Sequence, residues 1–264
     1  TALLTDYPLD QPETDATQPL KLDGLTLSCS LQPPGSDLTL AEAYAYGCPF
    51  SFATLFNQVD PLRIQESFSL FRLDTPYILP GFTPETIGGN LTPTPEVTPT
   101  VIPISTELTL DNALGQGNLT LSPLDVAVMT AAIVNEGNAP QPVMLLATRL
   151  PGDSNWTPVN AIYPSTPVTT AEISRRLQEL MRDATRNGSA IKAARDGMNI
   201  GGHAALAYSG TTTNVWFTGF IITGPRQGIV VALVLEGHND TTEAAAIGGQ
   251  ILEAAFNQSI PASQ

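Results

Sequence analysis

Apolar and polar positions change their period along the chain, and the changes mark out its elements. Thr39 is followed three residues on by Glu42, at the head of the run Leu40-Ala41-Glu42-Ala43-Tyr44-Ala45. That spacing is a capping box, in which each side chain satisfies a backbone N–H of the other residue, so it predicts a helix toward Gly47. Pro49 interrupts the helix because proline has no N–H to donate, and a second short helical stretch follows around 52–56. Ser122-Pro123-Leu124-Asp125 opens another helix, with serine as cap and proline at the first helical position. From Val126 to Val134 that helix is apolar on nearly every face, which predicts a central, buried helix ended by Gly137. Thr169 and Glu172 repeat the capping-box spacing. Ile173, Leu177, Leu180, Met181 and Ala184 then fall on one helical face, up to Asn187-Gly188.

From residue 203 the period shortens. The runs 204–208, 214–223 and 229–235 are predicted strands, joined by turns short enough for an antiparallel meander. The last is almost wholly β-branched or leucine, as expected of a strand buried on both faces. Thr241-Thr242-Glu243 begins a closing helix through Phe256. Helices, then a sheet, then a helix packed on it, define an α+β class. The closing helix and the 122–137 helix are expected on opposite faces of a central antiparallel sheet. Residues 74–108 differ in kind: Pro76, Pro80, Pro84, Pro93, Pro95, Pro99 and Pro103 recur among threonines. Such a composition forms neither helix nor central strand. It is expected to be a long loop within one domain covering 1–264, with 37–73 mostly helical.

Composition narrows the classes of function. A chain of 264 residues with 42% hydrophobic content has enough apolar material for a sizeable core. The net charge is −14, which repels phosphate backbones and excludes nucleic acid as an expected partner. No apolar run approaches the ~20 residues that cross a bilayer, and Thr1-Ala2-Leu3-Leu4 does not open a leader pattern. Any membrane anchor is expected upstream of Thr1. Lysine occurs only at Lys21 and Lys192, while Thr, Pro, Asn and Gln carry the polarity, a style expected of an extracytoplasmic protein of the cell envelope. In such a compartment Cys29 and Cys48 would form a disulfide worth about 3 kcal/mol through loop closure. In a reducing one they would be two buried thiols. Their spacing does not make a zinc site, and no metal or cofactor is expected.

Several segments resemble, in order, the transpeptidase domain of penicillin-binding proteins. Gly115-Gln116-Gly117 and Leu119-Thr120-Leu121-Ser122-Pro123-Leu124 resemble that family's Gly-Gln-Gly stretch and its Thr-Pro-Leu-Gln helix entry. Ala131 to Gly137 resembles the end of that helix, and Val215-Trp216-Phe217-Thr218-Gly219-Phe220 its aromatic strand. The resemblance implies three catalytic motifs. In Ser-x-x-Lys, a hydroxyl nucleophile lies one helical turn from an amine that takes its proton. Ser-x-Asn adds a second hydroxyl and an amide, and Lys-Thr-Gly on a strand edge adds a cation and a hydroxyl for the substrate carboxylate.

Here the Ser-x-Asn position aligns with Gly47-Cys48-Pro49, and Lys-Thr-Gly with Tyr208-Ser209-Gly210. The first motif is expected just before residue 1, since Thr1-Ala2-Leu3-Leu4 resembles the end of its helix. The resemblance therefore implies a pseudoenzyme with no catalytic residues in this chain. It would bind a peptidoglycan peptide or an envelope protein, with Ser209, Gly210 and Thr211 as candidate ligand contacts. Two alternatives remain: an active DD-peptidase or transpeptidase with substitute residues such as Tyr208 as base, or a structural subunit of an extracytoplasmic assembly. Ser189-Ala190-Ile191-Lys192 spells Ser-x-x-Lys out of order and is expected to be an exposed loop or helix start. Glu236-Gly237-His238-Asn239-Asp240 is expected to be a solvated turn.

Overall fold

The computed structural model describes residues 7–22, 24–73, 109–116, 119–143, 147–152, 154–158, 164–210 and 212–259, with Pro158 and Ser209 described for their backbone only. The proline-rich segment 74–108, Thr1-Ala2-Leu3-Leu4 and Thr211 lie outside these residues.

The amino-terminal part holds short strands, β1 (Pro12–Glu13), β2 (Leu20–Leu22), β3 (Leu25–Leu27) and β4 (Leu38–Thr39), then helices α1 (Leu40–Tyr46), α2 (Pro49–Phe56) and α3 (Pro61–Leu70). A short helix α4 (Leu110–Ala113) precedes α5 (Pro123–Val134). Two-residue strands β5 (Asn138–Ala139), β6 (Ala147–Thr148), β7 (Thr157–Pro158) and β8 (Thr166–Pro167) lead to α6 (Ala171–Asn187). The chain ends in β9 (Ile200–Ser209), β10 (Thr212–Gly224), β11 (Gln227–Glu236) and α7 (Thr241–Ser259). This is the α+β order, with an antiparallel three-stranded sheet in the order β11-β10-β9.

The capping box expected at Thr39 and Glu42 forms at α1, and the Ser122 cap of α5 also forms, closing a box with Asp125, a residue that the sequence places only in the first turn. Pro49 both ends one helix and starts the next, since the first helical position has no bond for its missing N–H to make. The cap of α6 sits one residue later than the sequence predicts, at Thr170, whose hydroxyl accepts from the Ile173 N–H at 3.2 Å. Thr169 is drawn away because its own N–H donates to the Gly137 carbonyl, leaving its hydroxyl buried and unpartnered. The buried stripe of α6 is also rotated from the predicted one. Ser174, Gln178, Met181, Ala184 and Thr185 are buried, and the Gln178 amide donates to the Ile133 carbonyl of α5 at 2.8 Å. Ile173, Leu177 and Leu180 instead line an apolar cavity with α2 and α3.

Alternation along β10 sorts the two faces of the sheet. Val215, Phe217 and Ile221 pack with Ala244, Ala245 and Leu252 of α7. Phe220 and Ile222 turn the other way, toward Ile133 and Val134 of α5 and Met181 of α6. The two helices thus take opposite faces of the sheet. β10 is the central strand, whereas β11 lies at the edge and its apolar residues are only partly buried. β11 is covered on both faces, by α7 and by α5, as expected, but its residues stay only partly buried because no strand among the described residues pairs with its outer side. Burying a side chain such as Phe217 contributes roughly 2–3 kcal/mol, so the β10–α7 contact is a principal source of stability.

Candidate functional site

A cleft of about 250 Å³ opens between the α1–α2 junction and β9, lined among others by Ser28, Ser30, Tyr44, Cys48, Gln116 and Tyr208. One wall is built by the end of α1. Gly47 caps that helix in the left-handed region, at φ 64°, and donates back to the Ala43 and Tyr44 carbonyls. A Cβ there would lie 2.6 Å from Ser30 Oγ, so this position requires glycine on two counts. Cys48 is fully buried, donates its N–H to the Ala43 carbonyl at 2.8 Å, and is joined to Cys29 by a disulfide. Its sulfur is therefore not a thiolate nucleophile. The same pin holds the segment at Ser30, whose N–H bonds the Gly47 carbonyl and whose carbonyl accepts from Thr241 Oγ1 at the start of α7.

The opposite wall is β9. It brings Tyr208 and Leu206 to the cleft, together with Ala205 and His203. The structure thus gathers two of the aligned motif positions, Gly47-Cys48-Pro49 and Tyr208, around one space. Gly210 follows at the hairpin tip with φ 59° and open space where a Cβ would stand.

Two cleft groups, Tyr44 and His203, carried no signal of a site in the sequence. The His203 ring stacks on Tyr44, with centroids 4.6 Å apart and planes 25° from parallel. Its Nδ1 lies 3.4 Å from Ser189 Oγ. Burial pushes the His203 pKa down to about 4, so the imidazole is neutral at physiological pH. Burial likewise pushes the Tyr44 pKa up, which keeps its phenol protonated. Ser189 is buried rather than exposed as predicted. It accepts from the Ala204 N–H at 3.2 Å, and its own N–H donates to the Ala45 carbonyl at 2.7 Å. Lys192 lies in a short 3-10 turn (Ile191–Ala193) and is exposed. Gln116 Oε1 accepts from the Tyr208 N–H at 3.0 Å, and its Nε2 donates to the Leu206 carbonyl at 3.3 Å. Gln116 was visible only as part of a resemblance; its partners lie about 90 positions away in the chain and no local pattern points to them.

Charge is the missing quantity. No lysine, arginine, aspartate or glutamate is among the described residues lining the cleft. Outside the lining, at the start of α7, His238 pairs with Glu243 at 3.0 Å, and Asp240 accepts from the Thr242 hydroxyl at 2.6 Å and from its N–H at 2.8 Å. Those bonds to Thr242 pull the Asp240 pKa down.

The penicillin binding protein transpeptidase domain family matches residues 31–257. The chain belongs to that family. Among solved structures, this transpeptidase domain is similar to penicillin-binding protein A from M. tuberculosis in an imipenem acyl-enzyme complex. That match has TM-score 0.73 and 23% identity, covering 97% of this chain and 57% of the other. It is also similar to the D,D-transpeptidase domain of a peptidoglycan glycosyltransferase from Eggerthella lenta, with TM-score 0.72, 18% identity, and coverage of 98% and 63%. A third is the apo transpeptidase domain of Burkholderia pseudomallei penicillin-binding protein 3, with TM-score 0.70, 13% identity, and coverage of 100% and 77%. The chain spans under two thirds of the length of the first two. No curated protein sequence matches it. No helix among the described residues is long and apolar enough to cross a membrane.

Proposed function

We propose that this transpeptidase domain is a non-catalytic binding module of the cell envelope, which takes an extended peptide against the tip of β9. The observation that carries this reading is that no charged side chain is among the described residues lining its cleft. Acylation of a serine needs a base to take its proton and a cation to hold the substrate carboxylate. At the two aligned motif positions the described groups are a glycine cap, a disulfide sulfur, a proline and a phenol. A phenol acts as base only once ionised, which a neighbouring cation would have to stabilise, and no lysine or arginine is among the described residues of the cleft.

Shape, by contrast, is kept. Cys48 is pinned by its disulfide, and β9 presents a strand edge at which a peptide backbone adds by hydrogen bonds. Ser209, Gly210 and Thr211 are the proposed contacts. Membership of a peptidoglycan-processing family favours a peptidoglycan peptide as ligand and an extracytoplasmic location. The net charge of −14 disfavours polyanions. A protein partner within an envelope assembly is the second reading, favoured by the exposed apolar residues Leu62, Leu150 and Trp156.

Intact-mass spectrometry of the full-length polypeptide after incubation with a reactive penicillin tests the loss of chemistry. An unchanged mass is expected. A stoichiometric adduct overturns the proposal, and its position, at an upstream serine or at Ser189, identifies the nucleophile of an active transpeptidase.

A further inference from the structure

The outer edge of β9 is not open along its whole length. In an antiparallel sheet the N–H and C=O of one residue point to the same side, and successive residues alternate sides. The Ala204 N–H bonds Ser189 Oγ, the Leu206 carbonyl accepts from Gln116 Nε2, and the Tyr208 N–H bonds Gln116 Oε1. None of these partners belongs to β10, so residues 204, 206 and 208 are the ones that face away from the sheet. Gln116, only 5% exposed, spans the two positions as a partner strand would: one amide donates to a carbonyl and accepts from the next outward N–H. Two side chains from outside the sheet thus take three of the outward backbone groups between Ala204 and Tyr208, with Gln116 holding the pair nearest the hairpin tip. The next outward groups are the Tyr208 carbonyl and Gly210 at the hairpin tip.

We infer that Gln116 closes the β9 edge at Leu206–Tyr208 and so sets the ligand class of the cleft: a short, extended peptide terminus rather than a long strand. This rests on the peptide-binding reading above and adds a specificity-determining residue to it. A peptide longer than two or three residues gains no further backbone bonds along β9 unless it displaces Gln116, which would break two hydrogen bonds. Each such bond contributes on the order of 1 kcal/mol net, or about fivefold in affinity.

The test uses the full chain, with two blocked probes: acetyl-Thr-Val-amide and acetyl-(Thr-Val)4-amide. Amide hydrogen exchange without ligand is measured first. The Tyr208 amide is expected to exchange about tenfold faster in Gln116→Ala than in the unaltered protein. In Gln116→Glu, which keeps an acceptor for that N–H, slow exchange is retained. Equal Tyr208 exchange in all three proteins overturns the closed edge. Backbone amide shifts are then followed with each peptide. In the unaltered protein both probes are expected to shift residues 209–213 and leave Leu206 still. In Gln116→Ala the eight-residue probe is expected to reach Leu206 and to bind about 25-fold tighter, about fivefold for each of the two backbone groups released. A shift at Leu206 in the unaltered protein overturns the length limit while leaving peptide binding intact. An unchanged footprint and affinity in Gln116→Ala, despite faster Tyr208 exchange, also overturns it. If neither probe shifts any residue of 206–213 in either protein, the peptide-binding reading fails, and the ligand class with it.

Discussion

Against α7, the sheet is filled by Phe217, Val215 and Ile221 meshed with Ala244, Ala245 and Leu252, all buried. Toward α1 and α2, the neighbouring strand faces a cleft of about 250 Å³ lined by a proline, a phenol and a disulfide, with no charged side chain among its described residues. The first region answers to close packing, where every methylene is felt as stability. The second answers to whatever the cleft binds, and its residues are set by that ligand rather than by packing. A tightly packed scaffold beside a cleft with no charged side chain among its described residues is what the proposed binding role would require.

The largest test of the packed side is Phe217→Ala, expected to cost about 3–5 kcal/mol in urea unfolding through the cavity it leaves. Gly248→Val attacks the same contact from α7, since any Cβ at Gly248 runs into the Phe217 ring, and is expected to destabilise by about 3 kcal/mol. A cost below about 1 kcal/mol for both would dissolve the contrast between the two regions.

Next comes the cleft wall. Replacing Cys29 and Cys48 together by serine is expected to cost about 3 kcal/mol, read as a lowered thermal midpoint. The His203 ring sharpens the contrast through pH. Its folded pKa of about 4 lies below the unfolded value of 6.5, so the unfolded chain binds the extra proton in that window. Stability from this group is therefore full above pH 6.5 and falls as the pH drops toward 4, by about 2–3 kcal/mol. His203→Phe, which keeps a ring against Tyr44, should lose that part of the pH dependence when unfolding is compared at pH 7 and pH 4.5. The smallest effect is at the α6 cap: Thr170→Ala is expected to cost about 1 kcal/mol and Thr169→Ala close to nothing.

Elements set by local chemistry were legible in the sequence. The Thr39–Glu42 box and the Ser122 cap lie within one helical turn, and the period-two runs of β9 and β10 follow from the pleat. What stayed hidden depends on partners far away in the chain. The α6 cap moved by one residue because Gly137 claims the Thr169 N–H, 32 positions off in sequence. β11 is almost entirely apolar, yet it lies at an edge, since composition describes a strand's faces and not its neighbours. Within the cleft, Gly47, Cys48, Pro49 and Tyr208 were found by alignment to a motif. His203 was not, because a lone histidine in an apolar run shows no spacing from which a site can be read.

The three bonds at Ser189 bear on how the cleft behaves in time. Its N–H grips the end of α1 at Ala45, while its hydroxyl grips β9 at Ala204 and approaches His203. One residue thus acts as a strut between the opposing walls, so that neither can shift far without the other. A slot braced in this way is already ordered before anything enters it. Little conformational entropy would be lost on binding, and a weakly attractive, uncharged surface can then hold a ligand that a looser cleft of the same composition would release.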